Sequence, residues 1–219
     1  PSVKSIVLNI NRDRTNVILG KECVTVWGND CIYDVLCGVK VRLSPLSFYQ
    51  VNHDMAQQLY EKAAEYACLS GKETVLDMYC GTGTIGLSME KKAKRIIGAE
   101  IVPEAVLDAK RNALENGIEN AEFICADAGE AAQELSSRGI KPDVVLLDPP
   151  RKGCSEMLLA EIVKMSPERI VYVSCDPSTL ARDCFRLKDL GYETKRLAAA
   201  DLFPRTVHVE SVALLTKQK

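Results

Sequence analysis

Thr74-Val75-Leu76-Asp77-Met78-Tyr79-Cys80-Gly81-Thr82-Gly83-Thr84-Ile85-Gly86 reads as a short apolar strand that breaks into a glycine-rich turn and resumes as a helix. Gly81, Gly83 and Gly86 match the G-x-G-x-x-G spacing by which bare backbone approaches a dinucleotide at the head of a helix. Glu100 follows at about the twenty-residue interval of a ribose-binding acid. Alone, the loop is generic. It suits any nucleoside-bearing cofactor, and Glu100 could hold the two ribose hydroxyls of several.

Outward from this loop the chain keeps one rhythm. Strands are predicted over 74–77, 95–100, 122–125, 143–148 and 169–174, with helices opening near Gly83, Pro103, Gly129, Ser155 and Pro177. Such alternation predicts an α/β fold with a doubly wound, mostly parallel sheet. A helix over 52–68, capped by Asn52, precedes the first of these strands. The segments 192–200 and 207–216 are joined by a loop too short for a crossover helix, so the last strand is expected to run antiparallel. Residues 1–43 read as a small β segment. There 24–27 and 31–36 are expected to pair as a hairpin about Gly28-Asn29-Asp30, with 39–43 continuing it. The segment is too short to hold a core of its own.

Ligands of open α/β sheets bind beyond the carboxyl ends of the parallel strands. That rim collects the chemistry. The first strand gives Asp77 and Tyr79, the second Glu100, the third Asp127, the fourth Asp148-Pro149-Pro150-Arg151 and the fifth Cys175. Cys175 stands where Val171-Tyr172-Val173-Ser174 stops and a helix with Pro177 in its first turn starts, a position that favours a reactive thiolate over a packed thiol. The antiparallel last strand starts on the same rim and carries His208 and Glu210. With one residue between them on a strand, these two are expected on one face.

Composition bounds the reading. The 219 residues suffice for one well-buried domain, and 47% hydrophobic with 26% charged residues is ordinary for a globular chain. No apolar run approaches the length of a membrane span, so no membrane association is expected. Nine scattered cysteines without a Cys-x-x-Cys pair suggest a reducing cytoplasm rather than a disulfide framework. No metal is assigned to Cys23, Cys31 and Cys37, whose neighbours alternate like strand residues. A net charge of −2 does not advertise nucleic-acid binding, and Lys91-Lys92 and Arg151-Lys152 read on charge alone as solvated surface. The chain opens on Pro1 rather than methionine, and a piece of a longer protein is expected.

Four stretches together resemble the RNA uracil-5-methyltransferase family. They are Asp77-x-x-Cys80-Gly81-x-Gly83, Leu147-Asp148-Pro149-Pro150-Arg151, Tyr172-Val173-Ser174-Cys175-Asp176-Pro177 and His208-Val209-Glu210-Ser211. Ser47-Phe48-Tyr49-Gln50-Val51-Asn52 is similar to the segment that opens the family's catalytic domain. The resemblance implies a class I methyltransferase, Rossmann-like fold over 44–219, with 1–43 as the remnant of a central β domain. It implies S-adenosylmethionine as cofactor, structured RNA as partner and no obligate protein partner. Of the RNA classes, 23S ribosomal RNA is set ahead of transfer RNA. Cys175 is then the nucleophile at carbon 6 of uracil and Glu210 the base that removes the carbon-5 proton, with His208 as its rival. Gln50, Tyr79, Gly81, Gly83, Thr84, Glu100, Asp127 and Asp148 carry the family's cofactor pattern. Glu100 suits the ribose and Asp127 the adenine amino group, while Asp148 suits either the methionine end or the target base.

Three other readings fit less well. An amino-group methyltransferase needs an aromatic residue where Arg151 follows Asp148-Pro149-Pro150. An NAD-dependent oxidoreductase leaves Cys175 and Glu210 without work. A non-catalytic RNA-binding module predicts no turnover.

Overall fold

The computed structural model describes residues 3–14 and 18–218; residues 1, 2, 15–17 and 219 lie outside the described part. In chain order the elements are β1 (Ser5–Ile10), β2 (Glu22–Gly28), β3 (Ile32–Leu36), β4 (Val39–Leu43), α1 (His53–Ala67), β5 (Thr74–Met78), α2 (Thr84–Leu87), β6 (Arg95–Glu100), α3 (Pro103–Glu115), β7 (Ala121–Cys125), α4 (Ala128–Ser137), β8 (Val144–Leu147), α5 (Glu156–Met165), β9 (Arg169–Ser174), α6 (Pro177–Asp189), β10 (Tyr192–Ala200) and β11 (Glu210–Lys217). The main sheet has seven strands in the order β10-β11-β9-β8-β5-β6-β7. Its β5 to β9 strands are parallel, and β11 runs antiparallel to both β9 and β10. The doubly wound sheet read from the sequence is the fold of the protein.

Adjacent residues of the parallel strands face opposite layers, and both layers are apolar. Val75, Ile96 and Val144 pack with α1, α2 and α3, whereas Leu76, Ile97 and Val145 pack with α4, α5 and α6. Local chemistry sets the helix ends. Asn52 accepts from the Met55 amide at 3.3 Å to start α1, and Cys68 closes it in the left-handed region. Pro103 and Pro177 occupy first-turn positions of α3 and α6, where the missing N–H costs no hydrogen bond. Among the described residues no helix is long and apolar enough to cross a membrane.

Two sequence expectations need correction. β2 does not pair with β3: it pairs antiparallel with β1, while β3 and β4 form the hairpin. Gly28 is opposite Ser5, and a Cβ there would meet the Lys4 carbonyl oxygen at 2.2 Å, so this glycine serves strand approach rather than a turn. The true hairpin turn is Cys37-Gly38, with φ of 50° and 80°, the pair of positive angles a two-residue type I′ turn demands. That hairpin buries Val39, Val41 and Leu43 in the core shared with α3. The last strand also starts later than expected, at Glu210 rather than 207. Since β9 ends at Ser174, opposite Ser211, residues 207–209 have no β9 residue beside them and remain loop, with Val207 92% exposed.

Candidate active site

The strand order reverses between β5 and β8, since β6 and β7 lie to one side and β9 to the other. Such a switch point opens a crevice at the carboxyl ends of the strands. Here the crevice is a cavity of about 1370 Å³. Gln50, Tyr79, Gly81, Thr84, Glu100 and Asp127 line it, and so do Asp148, Cys175 and Glu210. Gly83 does not. It lies behind the loop with φ of 82°, its Cα face against Phe123 and Leu87.

The glycine loop, Glu100 and Asp127 all line the cavity. Gly81 has φ of 54°, and a Cβ on it would meet nothing within 4 Å, so the loop turns bare backbone toward open space. Glu100 is fixed through both carboxylate oxygens, one accepting from the Gly81 amide at 3.1 Å and the other from the Val102 amide at 2.9 Å. Asp127 caps α4 by accepting from the Gly129 amide at 2.9 Å. A carboxylate held by backbone on one side keeps lone pairs for a ligand on the other. Beneath the loop, Asp77 accepts from the Gly86 amide at 3.0 Å while its other oxygen is buried with no partner. Burial first, offset by the Gly86 amide and then aided by Asp148 and Glu100, pushes its carboxyl up to about 7. The donor set is that of a nucleoside-bearing cofactor, and S-adenosylmethionine fits it.

Cys175 and Glu210 line the same cavity. The antiparallel register pairs Ser174 with Ser211, and one further step brings Cys175 against Glu210. Glu210 is 4% exposed, and desolvation raises its pKa while Arg151 opposes the rise. Asp148 lies deep in the cavity, where desolvation and then the charge of Glu210 push it up to about 7. Cys175 responds to the same surroundings. Its thiol is pushed up by desolvation, then by Glu210 and Asp148, with its own backbone amide and Arg151 pulling it down. The helix start does not by itself deliver a thiolate, because Asp176 already takes the first-turn amides of Ser178 and Thr179.

The structure adds residues that the sequence did not single out. Arg151, read as solvated surface, lines this cavity and also a smaller one of about 390 Å³ on the other side of Cys175. Its guanidinium donates to His208 Nε2 at 3.4 Å, and that ring packs edge-on against Phe203 with 6.3 Å between centroids. His208 precedes β11, so strand alternation does not put it on the face of Glu210. Tyr60 of α1 is buried and lines the cavity together with Gln50. The loop after Pro150 is pinned from below: Asp183 accepts from the Cys154 amide and the Tyr172 hydroxyl, each at 2.8 Å. The sequence signal for Arg151 was its place in Asp148-Pro149-Pro150-Arg151 at the rim, and Tyr60 had none beyond helical spacing.

Comparison with known proteins agrees with this architecture. An S-adenosylmethionine-dependent methyltransferase of Agrobacterium tumefaciens superposes with a TM-score of 0.66 at 14% identity, over 92% of this chain and 73% of that one. A likeness at that identity shows the fold alone, a doubly wound, Rossmann-like sheet. The model of the tRNA (uracil-5-)-methyltransferase family matches residues 38–218, and the chain belongs to that family. An RNA methyltransferase of Halalkalibacterium halodurans is 52% identical over 98% of this chain and 47% of its own length. One of Clostridium tetani is 51% identical over 98% and 46%. The crystal structure of the Pyrococcus abyssi tRNA (uracil-54, C5)-methyltransferase with S-adenosyl-L-homocysteine matches at 34% identity and a TM-score of 0.82, over 97% of this chain and 51% of that one. The chain therefore spans about half the length of these relatives.

Proposed function

We propose that the protein transfers a methyl group from S-adenosylmethionine to carbon 5 of a uridine in structured RNA, through a covalent adduct between Cys175 and carbon 6 of the base. The observation that carries this reading is the register that sets Glu210 beside Cys175 in the lining of the cavity that also holds the glycine loop. Carbon 5 of uracil is a weak nucleophile on its own. Addition of the Cys175 thiolate to carbon 6 shifts the double-bond pair into an enolate, so that carbon 5 can attack a methyl group. Bound S-adenosylmethionine supplies that methyl on a sulfonium centre and departs as S-adenosylhomocysteine. Glu210 then takes the carbon-5 proton, the carbon–carbon double bond re-forms and the thiolate is expelled. Arg151 is the cation at hand to hold the thiolate charge against Glu210 and Asp148.

On the cofactor side, Glu100 is assigned to the ribose, Asp127 to the adenine edge, and Gly81, Gly83 and Thr84 to the shape of the loop. Tyr79 walls the cavity with its backbone at φ of 65°. Gln50 and Asp148, which line the same cavity, are assigned to the region between donor and base. Residues 44–219 form the proposed catalytic domain, and 1–43 the end of a preceding β domain; β1 and β2 make a sheet separate from the main one. The family description and the Pyrococcus relative both name transfer RNA, which supports testing it beside 23S ribosomal RNA.

The test is trapping with RNA that carries 5-fluorouridine, where no carbon-5 proton can be removed. With S-adenosylmethionine, a protein–RNA adduct stable in denaturing gels is expected for the unmodified protein and none for Cys175→Ala. An undiminished adduct in Cys175→Ala refutes the assignment.

A further inference from the structure

One face of α3 binds two parts of the site that are far apart in sequence. Asp108 and Asn112 are 3% and 1% exposed, and at i, i+4 spacing they project from the same side of the helix. Asn112 uses both ends of its amide. Its oxygen accepts from the Arg42 backbone amide of β4 at 2.7 Å, and its nitrogen donates to the Thr82 carbonyl at 3.1 Å, in the middle of the Gly81–Gly83 loop. Asp108 accepts from the Arg42 guanidinium at 2.8 Å and from the Ser47 hydroxyl at 2.9 Å. One turn on, Asn116 exchanges a pair of hydrogen bonds with the Lys40 backbone, at 2.9 and 2.7 Å.

The strand held by this face runs directly into residues 44–50, all but Pro45 of which line the cavity and which end at Gln50. Ser47 is fastened at both sides, donating to Asp108 and accepting from the Ser44 amide at 3.1 Å. Leu46 and Phe48, on either side of it, stand 43% and 78% exposed; further on, Tyr49 packs against the core and donates its hydroxyl to Asp34 at 2.9 Å. Before Tyr49, the order of the stretch rests on the polar contacts of Ser47. A buried polar network with every member paired has one low-energy arrangement, and disturbing one end is felt at the other.

We infer that Asp108 and Asn112 are positioning residues that join the Gln50-bearing segment to the glycine loop, so that a donor in the loop and order in residues 44–50 favour each other. The inference rests on the donor site proposed above but not on the uracil chemistry. Coupling of this kind is reciprocal: a donor that steadies the loop through the Thr82 carbonyl steadies the segment through Arg42 and Ser47, and the reverse holds.

Hydrogen exchange in the presence and absence of S-adenosylhomocysteine tests it on the full-length protein. In the unmodified protein, ligand should slow exchange of amides both in 81–87 and in 44–50. Ser47→Ala removes one hydroxyl; it should retain the slowing in 81–87 and lose it in 44–50, with Ser47→Thr restoring it. Asn112→Ala should weaken ligand binding about tenfold and uncouple both segments. If Asn112→Ala melts early, Ser47→Ala still decides. Slowing in 44–50 that survives Ser47→Ala overturns the inference, because direct contact with the ligand would then account for it. Absence of ligand binding by the unmodified protein would instead sink the donor site itself, and loss of the 5-fluorouridine adduct alone would sink only the uracil chemistry.

Discussion

Replacing Glu210 by Gln should speed the first half of the proposed reaction and stall the second. The two side chains are nearly the same shape, so the substitution chiefly removes a charge from a position that is 4% exposed. After desolvation, that charge is the largest influence pushing the Cys175 thiol up. It is also the charge that helps to raise Asp148. Without it, Arg151 acts on Cys175 against fewer opposing charges, and a larger fraction of the thiol is ionised at any pH below its pKa. Alkylation of Cys175 by iodoacetamide at pH 7 to 8 should therefore be faster in Glu210→Gln than in the unmodified protein. Release should go the other way. A positioned general base contributes about 10²- to 10⁴-fold, or about 3–5 kcal/mol of barrier. Turnover on ordinary uridine RNA should fall by that factor while the methylated adduct accumulates. Gel shift of labelled RNA follows the adduct, and tritium release from 5-tritiated uridine follows proton removal. Turnover within tenfold of the unmodified rate and no adduct would refute Glu210 as the base and turn attention to His208 or water. An unchanged alkylation rate would refute the electrostatic account of the thiol.

Asp77→Asn should make stability less dependent on pH. With its carboxyl pushed up to about 7 in the fold and near 3.9 unfolded, the folded protein binds more protons between those values. Stability contributed by Asp77 is thus highest below about pH 4, declines as pH rises toward 7, and is flat beyond; ionising it in place costs about 4 kcal/mol. The difference in melting temperature between Asp77→Asn and the unmodified protein should move in favour of the variant from pH 5 to pH 8, and a difference independent of pH would contradict this. Glu100→Ala leaves the Gly81 and Val102 amides without their acceptor and removes the assigned ribose contact. S-adenosylhomocysteine affinity by calorimetry should drop about ten- to a hundredfold, and an unchanged affinity would remove Glu100 from the site.

Much of this protein can be read along the chain because its determinants are local. Apolar runs with both faces buried define β5, β6, β8 and β9, and Asn52, Pro103 and Pro177 mark helix starts that the structure reproduces to the residue. The rim residues follow from one topological rule, since a parallel sheet gathers the ends of its strands on one side. The N-terminal pairing was not legible in that way. Gly28-Asn29-Asp30 has the composition of a hairpin turn, but which strand pairs with β2 is decided by the backbone of Lys4 and Ser5, more than twenty residues away.

The sequence by itself determined the layered sheet and the glycine loop, and it singled out Cys175 and Glu210 as the proposed reactive pair, because motif, periodicity and caps act over a few residues. Only the tertiary structure decided the state of that pair. The helix start beside Cys175 suggests an acidic thiol, but Asp176 occupies its amides, and Glu210 and Asp148 arrive from other strands to push the thiol up. Arg151 stood in the rim motif but read on charge alone as surface, and only the fold makes it part of the cavity lining beside Cys175. A pKa sums charges and burial over several ångströms in every direction, and no stretch of chain contains that sum.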